Sequence, residues 1–167
     1  MPLGNPIDDI ERAHGRQARL CDELEQIADT LPNQVDPALC DTVTQILLTE
    51  LPLHRRDEEQ ALFPLLEKRA LPEDNVERYL SQLCKEHATD EGVAAELLEL
   101  LPSLTDGERL HEPNMFGYML RSFFECYRRH LIWEQNLILP LARERLGRVD
   151  LVTLAELMAD HRRTRPF

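Results

Sequence analysis

Apolar residues return along most of this chain in alternating steps of three and four, the spacing that lines one face of an α-helix. The first such run is Ile7, Ile10, His14, Gln17, Cys21, Leu24, Ala28 and Leu31. Asn5-Pro6 precedes it, with a side-chain acceptor at the N-cap, a proline where no amide partner is needed, and Asp8 and Asp9 in the electropositive first turn. LPNQVD breaks the run, and Asp36-Pro37 opens the second in the same manner. Its inner positions are Val43, Leu47, Leu51, His54, Glu58, Leu62 and Leu65. Pro52 lies inside this pattern and removes a backbone hydrogen bond, which predicts a kink or local widening about one turn before His54. Pro64 should likewise disturb the last turns.

Arg69-Ala70-Leu71-Pro72 reads as a short turn, with Glu73 and Asp74 opening a third helix. Its seam is Val76, Leu80, Leu83, His87, Glu91, Ala94, Leu98 and Leu101, with Asp90 competing with Glu91 for the inward position. PSLTDGERLHEPN is the longest connection and ends at Pro113 or Asn114, where a fourth helix starts. That helix carries Met119, Phe123, Cys126, His130, Glu134, Leu137 and Leu141, with Pro140 near its end. After Leu146-Gly147, the residues Leu151, Leu154, Leu157 and Met158 make a short amphipathic piece that should fold over one end. Long helices with short connections predict an all-α protein, an antiparallel up-down-up-down four-helix bundle over about 5–147 with a short C-terminal helix over about 150–163. The whole of 1–167 is expected to be one domain. Beyond the step His-x-x-x-Glu, no internal repeat is expected.

Composition agrees with a helical fold: 43% hydrophobic residues and only 6 Gly in 167 residues can fill one core. The formal charge of -12 would repel a nucleic-acid backbone or an anionic membrane, and Arg162, Arg163 and Arg165 at the tail do not reverse it. No run is long enough to span a membrane and the N-terminus has no leader pattern, so the expected location is the cytoplasm. Cys21, Cys40, Cys84 and Cys126 have no paired spacing and are expected to be buried small hydrophobes rather than a disulfide framework.

The candidate chemistry is the step His-x-x-x-Glu, found at His54 to Glu58, His87 to Glu91 and His130 to Glu134. Four-residue spacing stacks imidazole and carboxylate on one helix face, a turn apart. In an antiparallel bundle, residues equally far from a shared turn lie level. His14 and His54 are each about 17 or 18 residues, roughly 26 Å, from their common turn, and His87 and His130 follow at matching counts. Four histidines then meet in one layer with Glu58, Glu91 and Glu134. Unpaired burial of a single carboxylate costs several kcal/mol, and a cation resolves that conflict. Mixed imidazole and carboxylate donors, too many for one four-coordinate ion, point to two ions of the iron or manganese type, with zinc or copper less suited.

These residues resemble the hemerythrin-like HHE cation-binding family. HRRDEEQALFPLLEKR is similar to the family's second-helix pattern and HLIWEQNLILPLARERL to its last bundle helix, with His14 and the His87 of KEHATDEG completing the set. The resemblance implies two iron ions, oxo- or hydroxo-bridged, held by His14, His54, Glu58, His87, His130 and Glu134, with Glu58 and Glu134 as bridges. Oxygen carriers of the family place a second histidine where this chain has Glu91, so a small diatomic ligand or peroxide is expected to be sensed or reacted with rather than carried. A metal-responsive binding module, or an enzyme of iron oxidation or iron-sulfur cluster repair, stays open beside it. A monomer or homodimer is expected. Trp133 is expected to pack on a neighbouring helix, Glu59 to be a solvated charge, and Phe63, Phe123, Phe124 and Tyr118 to be core. His111 and His161 are expected at the surface.

Overall fold

The computed structural model describes residues 4–106 and 112–164, so His111 and Arg165 lie outside the described residues. Every long element is helical: α1 (Pro6–Thr30), α2 (Pro37–Asp57), α3 (Phe63–Arg69), α4 (Val76–Thr105), α5 (Pro113–Trp133), α6 (Leu139–Arg145) and α7 (Arg148–Arg163). Two wider π turns, Glu58–Leu62 and Glu134–Ile138, join α2 to α3 and α5 to α6. A 3₁₀ turn, Pro72–Asp74, precedes α4.

The helix starts form as the capping residues dictate. Asn5 Oδ1 accepts from the Ile7 amide at 3.0 Å and Asp36 Oδ1 from the Ala38 amide at 2.9 Å. Glu73 and Asp74 do not begin the third long helix. Asp74 instead accepts from the Leu71 amide at 2.7 Å, and Asn75 turns left-handed with φ 51 before α4 begins. Asparagine tolerates that conformation because its short polar side chain can bond locally, here to the Glu73 carbonyl at 3.1 Å.

The elements pack as an all-helical bundle, with α1 against α2 and α5, and α4 against the other faces of α2 and α5. Ion pairs record the sense of packing. Asp8 and Glu11 near the start of α1 meet Arg143 of α6, while Asp29 near its end meets Arg121 near the start of α5. Two apolar clusters fill the interior. One holds Leu24, Val43, Leu97, Leu120 and Phe124; the other holds Ile10, Leu62, Leu66, Leu83 and Leu154. Between them lies a layer of buried histidine and glutamate side chains.

Pro52 opens no wider turn before His54, since α2 runs through it to Asp57. The widening comes one turn later. Pro64 has no amide, and its ring would strike the Gln60 carbonyl in a continuous α-helix. The backbone shifts register instead, and the Phe63 amide bonds the Glu58 carbonyl, five residues back. Pro140 repeats the event, with the Leu139 amide on the Glu134 carbonyl.

Several sequence expectations are corrected. Tyr118 is exposed rather than core, while Phe63, Phe123 and Phe124 are buried. Cys21 and Cys40 are buried, but Cys84 and Cys126 are exposed, and all four are free. Trp133 packs on a neighbouring helix as expected, edge-on to Tyr79 of α4. His161 is 5% exposed, because it continues the inner seam of α7 three residues beyond Met158. Among the described residues no helix is long and apolar enough to cross a membrane.

Candidate metal centre

Four helices deliver six side chains to one buried layer: His14 from α1, His54 from α2 with Glu58 at the first π turn, His87 from α4, and His130 from α5 with Glu134 at the second π turn. They form two overlapping groups of metal-capable donors. One is His14, His54, Glu58 and Glu134; the other is Glu58, His87, His130 and Glu134. The two carboxylates belong to both.

The distances are those of a donor shell. His14 Nε2 lies 3.2 Å from Glu58 Oε1 and 2.8 Å from Glu134 Oε2, and His54 Nε2 lies 2.9 Å from Glu58 Oε1. On the other side His87 Nε2 is 3.3 Å from Glu58 Oε2, and His130 Nε2 is 2.6 Å from Glu134 Oε1. The Nε2 atoms of His87 and His130 approach to 3.0 Å. Some of these contacts are hydrogen bonds, as between His14 and Glu58 and between His130 and Glu134, but they do not satisfy every atom. His54 Nε2, Glu58 Oε2 and Glu134 Oε2 are buried and out of alignment with any partner. Orphaned lone pairs at this depth are costly, and a cation between them is what the donor set fits.

The outer nitrogens explain why the inner ones face the centre. His87 Nδ1 donates to Glu59 Oε1 at 2.7 Å, and His14 Nδ1 donates to Gln135 Oε1 at 2.9 Å. A proton fixed on Nδ1 leaves the Nε2 lone pair for a metal, and a carboxylate partner also makes the imidazole more electron-rich. Each shared carboxylate and the residue after it thus grip both nitrogens of one histidine: Glu58 and Glu59 hold His87, while Glu134 and Gln135 hold His14. Glu59 is therefore not merely a solvated charge, and Gln135 was not singled out by sequence reasoning at all. Both come directly after a glutamate shared by the two donor groups, inside a π turn.

With protons alone in the site, the charges are strongly shifted. Burial pulls His14 and His87 towards neutrality, but hydrogen bonds to Glu134 and Glu58 outweigh it and lift them to about 10 and about 11. Burial and the neighbouring Glu58 push Glu134 up, yet His130, His14 and His87 hold it at about 2. Glu58 is likewise held well below the usual carboxylate range against its burial, by His54, His14 and His87. The carboxylates are anions that attract positive charge, whether as protons or as metal.

Glu91 does not join this set. Its side chain is 63% exposed and bonds Arg55 of α2 through both carboxylate oxygens, one of them 2.9 Å from the guanidinium. Asp90 takes the inward position, because the inner seam of α4 runs His87, Asp90, Ala94, Leu97 and Leu101. Outside, Glu91 finds the Arg55 guanidinium, and the shorter Asp90 fills the inward place beside His130. Asp90 is in neither donor group. Its Oδ2 lies 3.6 Å from His130 Nδ1, and burial raises its carboxyl to about 6. Tyr127 stacks on His130 with centroids 5.3 Å apart and donates its hydroxyl to Gln17 at 3.1 Å.

A cleft of about 230 Å³ between α2 and α4 reaches this layer. Leu47, Leu51, Ala94 and Leu98 form its walls, and His54, His87 and Tyr127 lie along it. The paired Arg55 and Glu91 also line it.

Residues 5–142 match the family model described as the hemerythrin HHE cation binding domain. Among curated proteins, nothing matches the chain.

Proposed function

The chain belongs to the hemerythrin HHE cation-binding family, and we propose that it holds two iron ions and reacts with or senses a small diatomic molecule there. The observation that carries this reading is the pair of donor groups sharing Glu58 and Glu134. Each group offers two imidazoles and two carboxylate oxygens, a mixture that suits iron or manganese better than a structural zinc. When bound, such a pair of ions supplies one-electron redox chemistry and positions at which a small ligand can bind.

The protein's own part is to place the donors, exclude water and choose what arrives. Glu59 and Gln135 keep the lone pairs of His87 and His14 pointed inward. The apolar clusters above and below cover the two ends of the layer, leaving the cleft between α2 and α4 as an approach. The leucine and alanine walls of the cleft offer few hydrogen bonds, which favours dioxygen or nitric oxide over the more strongly hydrated peroxide.

Metal analysis with an optical spectrum of aerobically purified protein tests this directly. About two irons per chain and near-ultraviolet charge-transfer bands are expected from the shared donor groups. Stoichiometric zinc, or a fully folded protein without metal, would overturn the reading. A second reading, a metal-responsive module that signals through its fold, is favoured by one specific feature, the attachment of α7 to the metal-holding turn.

A further inference from the structure

The helix α7, Arg148–Arg163, lies beyond residues 5–142 matched to the family, yet it reaches the residue next to one of the two shared carboxylates. Its contact is Asp57, the last residue of α2 and the one immediately before the shared Glu58. Asp57 is 2% exposed, and both of its oxygens are taken by α7. His161 Nδ1 donates to Oδ1 at 2.8 Å and Arg162 donates to Oδ2 at 3.0 Å. Beside them Arg56 donates to Thr164 at 3.1 Å. The other end of α7 is held separately, by Arg69 on Asp150 at 3.0 Å.

A π turn replaces the regular i→i−4 ladder with i→i−5 bonds, so the aim of a side chain at its start depends on how the residues on either side are anchored. Glu58 sits at the first position of such a turn and must serve both donor groups at once. Pro64 constrains the far end of the turn. The near end is held by Asp57, and Asp57 is held by His161 and Arg162.

We infer that α7 is a strut for the metal centre: His161 and Arg162 are positioning residues that set the aim of Glu58 through Asp57. This rests on the reading of the site as a metal centre. Attachment of the C-terminal end of α7 at Asp57 and metal retention are then linked, so that loosening one loosens the other.

The test is metal titration of the full-length, metal-free protein, with ferrous iron under anaerobic conditions and with Zn(II) as a redox-inert probe, alongside circular dichroism. His161→Leu removes the donor while keeping bulk, His161→Asn restores a donor near the Nδ1 position, and Arg69→Leu releases the distant end of α7. The expected result is about a tenfold or greater loss of metal affinity in His161→Leu, the range seen for groups that orient ligands. His161→Asn should recover most of that loss, and Arg69→Leu should stay close to the parent protein. Should His161→Leu fail to fold, Arg162→Gln, at a half-exposed side chain, serves in its place and should weaken binding in the same direction. Unchanged affinity in the folded His161 or Arg162 variant, or an equal loss in Arg69→Leu, overturns the strut. A parent protein that takes up neither metal overturns the metal reading itself, which is a different result.

Discussion

Glu59 and Gln135 stand in the same relation to the site from opposite sides, each one residue after a shared carboxylate and each accepting from the Nδ1 of a histidine on a neighbouring helix. They differ in charge. Glu59 gives His87 an anionic partner, whereas Gln135 gives His14 a neutral one. The two donor groups are therefore supplied with histidines of unequal basicity, and the His87 side is the more electron-donating.

Removing that partner should weaken the site without touching a ligand. Glu59→Ala is expected to lower metal affinity by about 10- to 100-fold, and Glu59→Gln by less, because the amide oxygen still orients the ring. Competition with a chelator measures both. Equal affinities for the parent protein and Glu59→Ala would show that the hydrogen bond does not hold His87.

Much of this arrangement was legible in the sequence, and the missing parts have a common cause. The caps at Asn5 and Asp36, the seams and the convergence of the four histidines all come from α-helical arithmetic. That arithmetic fails where the helix is not α. On an ideal helix Glu59 and Gln135 turn about 100° from the ligand beside them, which makes them look like solvated residues. In the structure both lie in π turns and reach the outer nitrogen of a histidine on a neighbouring helix. A signal was present: the spacing from histidine to shared glutamate, then Glu or Gln, then proline is the same in His54, Glu58, Glu59, Pro64 and in His130, Glu134, Gln135, Pro140. Reading only the four-residue step concealed that longer repeat. Glu91 was misplaced for another reason, since a heptad admits both Asp90 and Glu91 until the position of Arg55 is known.

Arg55 and Glu91 join α2 to α4 beside the apolar cleft, and their side chains are partly or largely in solvent. An exposed pair contributes little, so Arg55→Ala should change unfolding free energy by no more than about 1 kcal/mol. Its effect should appear in access instead. The reduced, metal-loaded variant is expected to react with dioxygen or nitric oxide faster than the parent protein in stopped-flow mixing. An unchanged rate would place the ligand's route elsewhere.

Asp74 predicts an acid-dependent contribution to stability at the far end of the bundle. It bonds Arg145 of α6 at 2.8 Å and the Leu71 amide at 2.7 Å, and these hold its carboxyl at about 2 against an ordinary 3.8. A carboxyl lowered on folding stabilises the fold above its unfolded value, and that stabilisation is lost as pH falls through its folded value. Asp74→Asn should therefore show a lower urea midpoint than the parent protein at pH 7. The gap should narrow as pH drops from 3.8 towards 2. A gap independent of pH would mean that the ionised carboxylate is not what Arg145 and Leu71 recognise.

The sharpest test of the donor set compares two glutamates that looked alike in the sequence. Glu58→Ala removes an oxygen donor from both groups at once and leaves His14, His54 and His87 without the carboxylate they surround. Glu91→Ala removes only a partner of Arg55 at the surface. Metal content after identical purification should fall steeply in the first variant and stay at the parent level in the second. Thermal unfolding with and without added metal separates the causes. The parent protein and Glu91→Ala should be stabilised by metal, because binding energy for the folded site is folding energy. Glu58→Ala should gain little. If Glu91→Ala lost metal as Glu58→Ala does, the α4 seam would have to turn to place Glu91 inward, and Asp90 would lose its buried position beside His130.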